Sequence, residues 1–245
     1  MTASLSLWRA ATAAGLALGL FIPEASLAGQ RSWSPDGPDR PGETDAISAA
    51  GQLTAWVLET ADNQGLPFLI IDKINAEVSA FDREGRLLGT APVLLGLARG
   101  DISPAGIGDR PLSAIEPGER ITPAGRFMAS MGENLGGKII LWIDYDAALS
   151  LHPVINTRAT DRRLQRLASA TAEDNRISYG CINVPGKFYD EIVEPAFSGT
   201  MVVVYILPED QSLSDVFFLA GGISQSAEDE VEPPLGVTAL SSEAH

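Results

Sequence analysis

The strongest constraint on this chain is a succession of short apolar runs rich in β-branched residues, each closed by Gly, Pro, Asp or Asn. Met201 to Leu207 (MVVVYIL) is the most pronounced, and Pro67 to Asp72 (PFLIID) resembles it. Ala76 to Phe81 alternates apolar and polar residues, as a half-buried strand does. Asp82-Arg83-Glu84-Gly85 reads as a turn, after which Arg86 to Leu95 resumes strand character, so Pro67 to Leu95 is expected to form an antiparallel meander. Gly125 to Met131, Lys138 to Tyr145 and Leu149 to Val154 are further strands. Helical spacing is confined to Ala46–Ala61, Thr160–Ala170 and Lys187–Phe197, the last with Pro185 near its start. Many short strands with few helices predict a mainly β domain, a sandwich or a barrel-like sheet.

With hydrophobic residues at 45% and charged residues at 20%, the chain can build a true core. The ends differ from the middle. Residues 1–28 read as a secretory signal: Arg9, an apolar stretch from Ala10 to Ile22, then Ser26-Leu27-Ala28 with small residues at the cleavage positions. That stretch is too short to span a bilayer comfortably. Residues 29–45 are expected to be a flexible leader, 46–207 the folded domain, and 208–245 an acidic mobile tail. With such a signal the chain is expected to be an exported, periplasmic or cell-envelope protein, with no stable membrane span once the signal is removed. The Gly/Pro-rich connection Gly96–Thr122 is unusually long, and loops of that length are commonly functional; Leu97 to Arg120 is a candidate lid.

A formal charge of −15 argues against a nucleic-acid partner, because phosphate contacts need clustered Lys and Arg. The chain has a single cysteine, Cys181, so no internal disulfide is possible. In an exported protein such a thiol is a liability unless buried or used. It lies in Arg176-Ile177-Ser178-Tyr179-Gly180-Cys181-Ile182-Asn183-Val184-Pro185. Glycine before the thiol permits backbone angles closed to other residues, which can turn N–H groups toward a substrate oxygen. A helix starting near Pro185 would favour a thiolate if it faced the sulfur. Of the two histidines, His245 is the last residue, which leaves His152 as the usable imidazole. Thiol and imidazole together suit cysteine acyl transfer. The bland alternative is a buried small hydrophobe and a structural histidine. One thiol and one usable imidazole are too few for a zinc site, and no cofactor is expected.

Ser178-Tyr179-Gly180-Cys181-Ile182-Asn183 resembles the signature of the L,D-transpeptidase (YkuD-type) catalytic domain, Ser/Thr-His-Gly-Cys-apolar-Asn/Arg. Thr122-Pro123-Ala124-Gly125-Arg126-Phe127 is similar to that family's upstream Thr-Pro-x-Gly-x-Phe segment, and the order Thr-Pro-x-Gly, His, Cys is kept. The resemblance runs roughly from Pro67 to Leu207. It implies a YkuD-like β-sandwich or barrel with the catalytic Cys on a loop before a short helix. It also implies attack by Cys181 on peptidoglycan stem peptides, with His152 as base and a backbone carbonyl orienting the imidazole. Backbone N–H groups of Tyr179, Gly180 and Cys181 would then form the oxyanion hole, and Ser178 would support the site. Asn183 would either hold the motif loop or simply stabilise a turn.

Two departures stand out. Tyr179 occupies the place of the family's His, and cannot titrate near neutrality. The 28 residues between His152 and Cys181 exceed the family's usual spacing, and the surplus coincides with the Arg-rich segment Thr160–Ala170. Arg158, Arg162, Arg163, Arg166 and Arg176 either bind substrate carboxylates or form a solvated face; Arg176 is the named substrate-binding candidate. Trp142 and Tyr145 are core or groove aromatics. Hydrolysis of the same acyl-enzyme by a carboxypeptidase or amidase, or a non-catalytic wall-binding module, are the alternative functions.

Overall fold

The computed structural model describes residues 48–156 and 158–218. The expected signal and leader, His245, and the tail beyond 218 lie outside the described residues. Helix α1 (Ala49–Thr60) comes first, with the Ser48 hydroxyl accepting from the Gly51 N–H as an N-cap. Ten strands follow: β1 (Phe68–Asp72), β2 (Glu77–Phe81), β3 (Leu87–Pro92), β4 (Leu95–Gly96), β5 (Gly125–Glu133), β6 (Ile139–Asp144), β7 (Leu149–Pro153), β8 (Arg176–Ser178), β9 (Ile182–Val184) and β10 (Met201–Ile206). Between β7 and β8 lies the short helix α2 (Arg163–Leu167). After β9 come α3 (Gly186–Phe188) and α4 (Glu194–Phe197), joined by a wider π turn (Tyr189–Val193). Pro195 has no N–H to donate, which is a physical reason for the helix to change register here.

Eight strands form one sheet in the order β3-β2-β1-β10-β5-β6-β7-β9, and β4 pairs with β8. The β1–β2–β3 meander is antiparallel, as expected. Immediately after β3, Leu94 bridges to Asn183 of β9, so the two edges of the sheet meet and the barrel is nearly closed. The domain is thus mainly β with few helices.

The continuous apolar run of β10 reflects burial on both faces. Val202, Val204 and Ile206 join the barrel interior with Leu69, Ile71, Leu141 and Leu151, where Phe188, Val193 and Phe197 also pack. Val203, Tyr205 and Leu207 face a second core built with Leu53 and Val57 of α1, Phe68, Ile70 and Phe217. A strand covered on both faces reads as unbroken hydrophobicity rather than alternation.

The folded region continues past Leu207, where a mobile tail was expected to start. The Glu209 side chain is buried, and Asp101 accepts from the backbone N–H groups of Glu209, Asp210 and Gln211 at 2.8–2.9 Å. A π turn (Ser214–Phe218) then seats Phe217 in the second core, while Phe218 lies 5.3 Å from the Trp56 ring. The acidity that suggested a solvated tail is, at Glu209, consumed by ion pairs to Arg176, Arg99 and Lys73. No helix of the described residues is long and apolar enough to cross a membrane.

Candidate active site

The register of parallel strands β7 and β9 brings the histidine and the cysteine together. Leu151 pairs with Ile182 and His152 with Asn183, so the turn carrying Cys181, immediately before β9, arrives beside the imidazole. Cys181 is partly exposed, on the turn between β8 and β9. It opens onto a groove of about 540 Å³ lined by Leu112, His152, Arg158, Arg163, Tyr179 and Asn183, among others.

The sulfur has polar neighbours from two side chains and one backbone carbonyl. The Ser150 hydroxyl donates to Sγ at 3.5 Å, and Sγ lies 3.4 Å from the Ala148 carbonyl. The His152 ring is the charged neighbour whose field acts on the thiol. Burial pushes the thiol up, but hydrogen bonds from His152 and Ser150 and the imidazole's charge bring it below its ordinary value. Burial pulls the imidazole down, but the hydrogen bond and charge of Cys181 and the Pro153 carbonyl raise it overall. Both shifts favour a thiolate–imidazolium pair.

His152 is oriented by its own strand. Nδ1 lies 2.8 Å from the Pro153 carbonyl, so Nδ1–H donates there and Nε2 faces the site. The Asn183 amide lies 3.2 Å from Nε2 through Nδ2, and Asn183 is buried. Its Oδ1 accepts from Arg163 at 2.9 Å.

The cysteine turn is held by the Thr-Pro-x-Gly segment. The Thr122 hydroxyl donates to the Gly180 carbonyl at 2.7 Å and accepts from the Gly96 N–H at 2.9 Å. Gly180 sits at φ +133°, where a Cβ would stand 2.8 Å from the Ile121 carbonyl oxygen. Only glycine meets both conditions without strain. Ser178 is buried, and its hydroxyl accepts from the Gly180 N–H at 3.1 Å. That bond occupies one of the three N–H groups expected to line an oxyanion hole. The N–H groups of Tyr179 and Cys181 have no acceptor among the described residues.

Arg176 is not in the groove. It is buried, donating through Nη2 to Glu209 at 2.6 Å and to the Lys73 carbonyl at 3.0 Å. Its charge is committed to a cluster with Glu209, Lys73 and Asp101, which leaves it out of reach of a groove ligand. The arginines that do line the groove are Arg158 and Arg163. Trp142 and Tyr145 stack on each other at 4.9 Å, and neither lines the groove. Part of the candidate lid is a groove wall: Leu112 and Ser113 line it, and Arg120 lies 4.1 Å from the ring centre of Tyr179. Among the described residues no group of three or more His, Cys, Asp or Glu side chains could hold a metal ion.

Sequence reasoning passed over Ser150, Thr122 and the Pro153 carbonyl as site residues, and offered Arg163 only as a carboxylate binder or part of a solvated face. Ser150 was readable, since it lies two positions before His152 on one strand and therefore on the same face. The bond from Arg163 to Asn183 was not, because nothing in the Arg163 segment specifies which strand it reaches.

No family model and no curated protein matches this chain. Solved structures do. The catalytic domain of an Enterococcus faecium L,D-transpeptidase is 18% identical over 57% of this chain and 96% of its own, with a TM-score of 0.33. An L,D-transpeptidase from Mycobacterium smegmatis is 12% identical over 57% of this chain and 58% of its own, at 0.35. The helical cell shape determining protein Pgp2 from Campylobacter jejuni is 14% identical over 60% of this chain and 49% of its own, at 0.38. The likeness is one of fold.

Proposed function

We propose that this chain is an exported cysteine acyltransferase that performs L,D-transpeptidation on peptidoglycan stem peptides. The observation that carries the reading is the coupled pair. The only thiol of the chain is partly exposed at a groove that it shares with an imidazole, coupled to it electrostatically, whose Nδ1 is fixed on a backbone carbonyl. The Ser178–Asn183 motif and the Thr-Pro-x-Gly segment that holds its turn support the same reading.

In this scheme His152 Nε2 takes the thiol proton and Sγ attacks the carbonyl between the third residue of a tetrapeptide stem and its terminal D-alanine. The developing oxyanion is held by the Tyr179 and Cys181 N–H groups. The imidazolium then protonates the leaving amine of D-alanine, leaving a thioester on Cys181. An acceptor amine attacks the thioester, forms the new amide and regenerates the thiol. Ser150, donating to Sγ, stabilises the thiolate through a charge-assisted hydrogen bond.

The test incubates the purified protein with a stem tetrapeptide, with and without an amine acceptor, and follows intact mass and products. Loss of D-alanine with a thioester adduct on Cys181, and cross-linked product only when acceptor is present, is expected. Shortened peptide without cross-linking in the presence of acceptor would replace transpeptidation by hydrolysis. Full activity in Cys181→Ala would remove the enzyme reading.

A further inference from the structure

The segment between His152 and Cys181 is longer than the resemblance predicts, and it delivers one side chain into the heart of the site. Arg163, the first residue of α2, is held on one side by Asp161, whose Oδ2 accepts from its Nε at 3.1 Å. On the other side its Nη1 donates to Asn183 Oδ1 at 2.9 Å. That bond fixes which way the Asn183 amide faces. With Oδ1 turned to a guanidinium, which can only donate, Nδ2 must face the imidazole, and it lies 3.2 Å from Nε2. An N–H group can bond Nε2 only while that nitrogen is unprotonated. The proton of the neutral ring then belongs on Nδ1, where the Pro153 carbonyl receives it.

We propose that Arg163 is a positioning residue: through Asn183 it holds the neutral His152 ring as the Nδ1–H tautomer, with Nε2 unprotonated on the side of the groove. The inference rests on the acyl-transfer reading and adds to it a residue that positions its base. Arg163 acts in two ways that point the same way. Its amide relay favours an unprotonated Nε2, and its positive charge opposes a second one on the ring. The groups facing His152 are Cys181 from the β8–β9 turn, Asn183 from β9 and Arg163 from α2, with Arg158, Asp161 and Tyr179 lining the same groove. None of the others can replace the relay, because Asn183 Oδ1 is its point of attachment.

The experiment is ¹⁵N NMR of the imidazole nitrogens in the full chain, with H245Q assigning the two histidines, together with the pH profile of Cys181 alkylation by iodoacetamide. In the wild type, neutral His152 should show a protonated Nδ1. In R163M the Nε2–H tautomer should become populated and the imidazolium midpoint should rise, since a positive neighbour is removed. N183A should show the same tautomer change with the arginine still present. A wild-type ring protonated on Nε2 overturns the proposal, even if R163M fails to fold. An unchanged tautomer and pH profile in folded R163M also overturns it. If H152A then still abolishes fast alkylation, the acyl-transfer reading stands without the relay; if H152A alkylates at the wild-type rate, that reading fails instead.

Discussion

Thr122→Val removes one oxygen from a fully buried position and should unsettle the whole cysteine turn. The side chain keeps its shape, so the packing loss is small. What is lost is a bridge: the hydroxyl accepts from the Gly96 N–H and donates to the Gly180 carbonyl. Thr122 is 0% exposed, so water cannot take the place of the hydroxyl. Two orphaned backbone groups at about 1–3 kcal/mol each give a destabilisation of about 2–6 kcal/mol. Against a typical domain stability of about 5–15 kcal/mol that is a large fraction. Urea unfolding followed by fluorescence measures it directly. The same variant should slow iodoacetamide alkylation of Cys181, because Gly180 precedes the thiol and its carbonyl would be free to rotate. A loss under about 1 kcal/mol with unchanged alkylation would refute the claim that Thr122 holds the turn.

Gly180→Ala should suppress thiol reactivity and cost about 1–3 kcal/mol, since alanine is strained at φ +133° and its Cβ meets the Ile121 carbonyl; alkylation rate and unfolding midpoint check it. Phe217→Ala should destabilise by about 3–5 kcal/mol if the chain past Leu207 belongs to the domain, and by nearly nothing in denaturant titration if it does not. Lys73 and the three backbone N–H groups hold the Asp101 carboxyl, against burial, down to about 2, from an ordinary 3.8. The folded-state value is depressed, so its stabilisation of about 2 kcal/mol is present above pH 4 and lost as pH falls toward 2. Asp101→Asn should flatten that part of the acid-unfolding curve. Ser150→Ala should raise the Cys181 midpoint toward the ordinary thiol value, read from the thiolate absorbance against pH.

Much of the architecture was legible because it follows local rules. β10 announced itself by an unbroken apolar run, and its two buried faces explain why no polar residue interrupts it. The meander was readable from alternation and a turn at 82–85. Helix Lys187–Phe197 was placed correctly but not its π turn, because hydrophobic spacing does not report hydrogen-bond register. The contact between His152 and Cys181 depends on parallel pairing of β7 with β9, and no spacing within either segment encodes it. Arg176 and Glu209 were misread for a common reason. Each was judged by its own charge and neighbours in sequence, whereas their burial is a property of the pair, and the partners are 33 residues apart. The contact of Arg163 with Asn183 escaped notice likewise: it exists only once α2 and β9 are brought together.

The coupling of Cys181 to His152 is most directly measured by thiolate absorbance across a pH titration, since the chain has only one thiol to report. The wild type should titrate below the ordinary thiol value of 9.0, and His152→Ala should move the midpoint upward. A wild-type midpoint at or above 9.0, unchanged in His152→Ala, would contradict the pair on which the proposed chemistry rests.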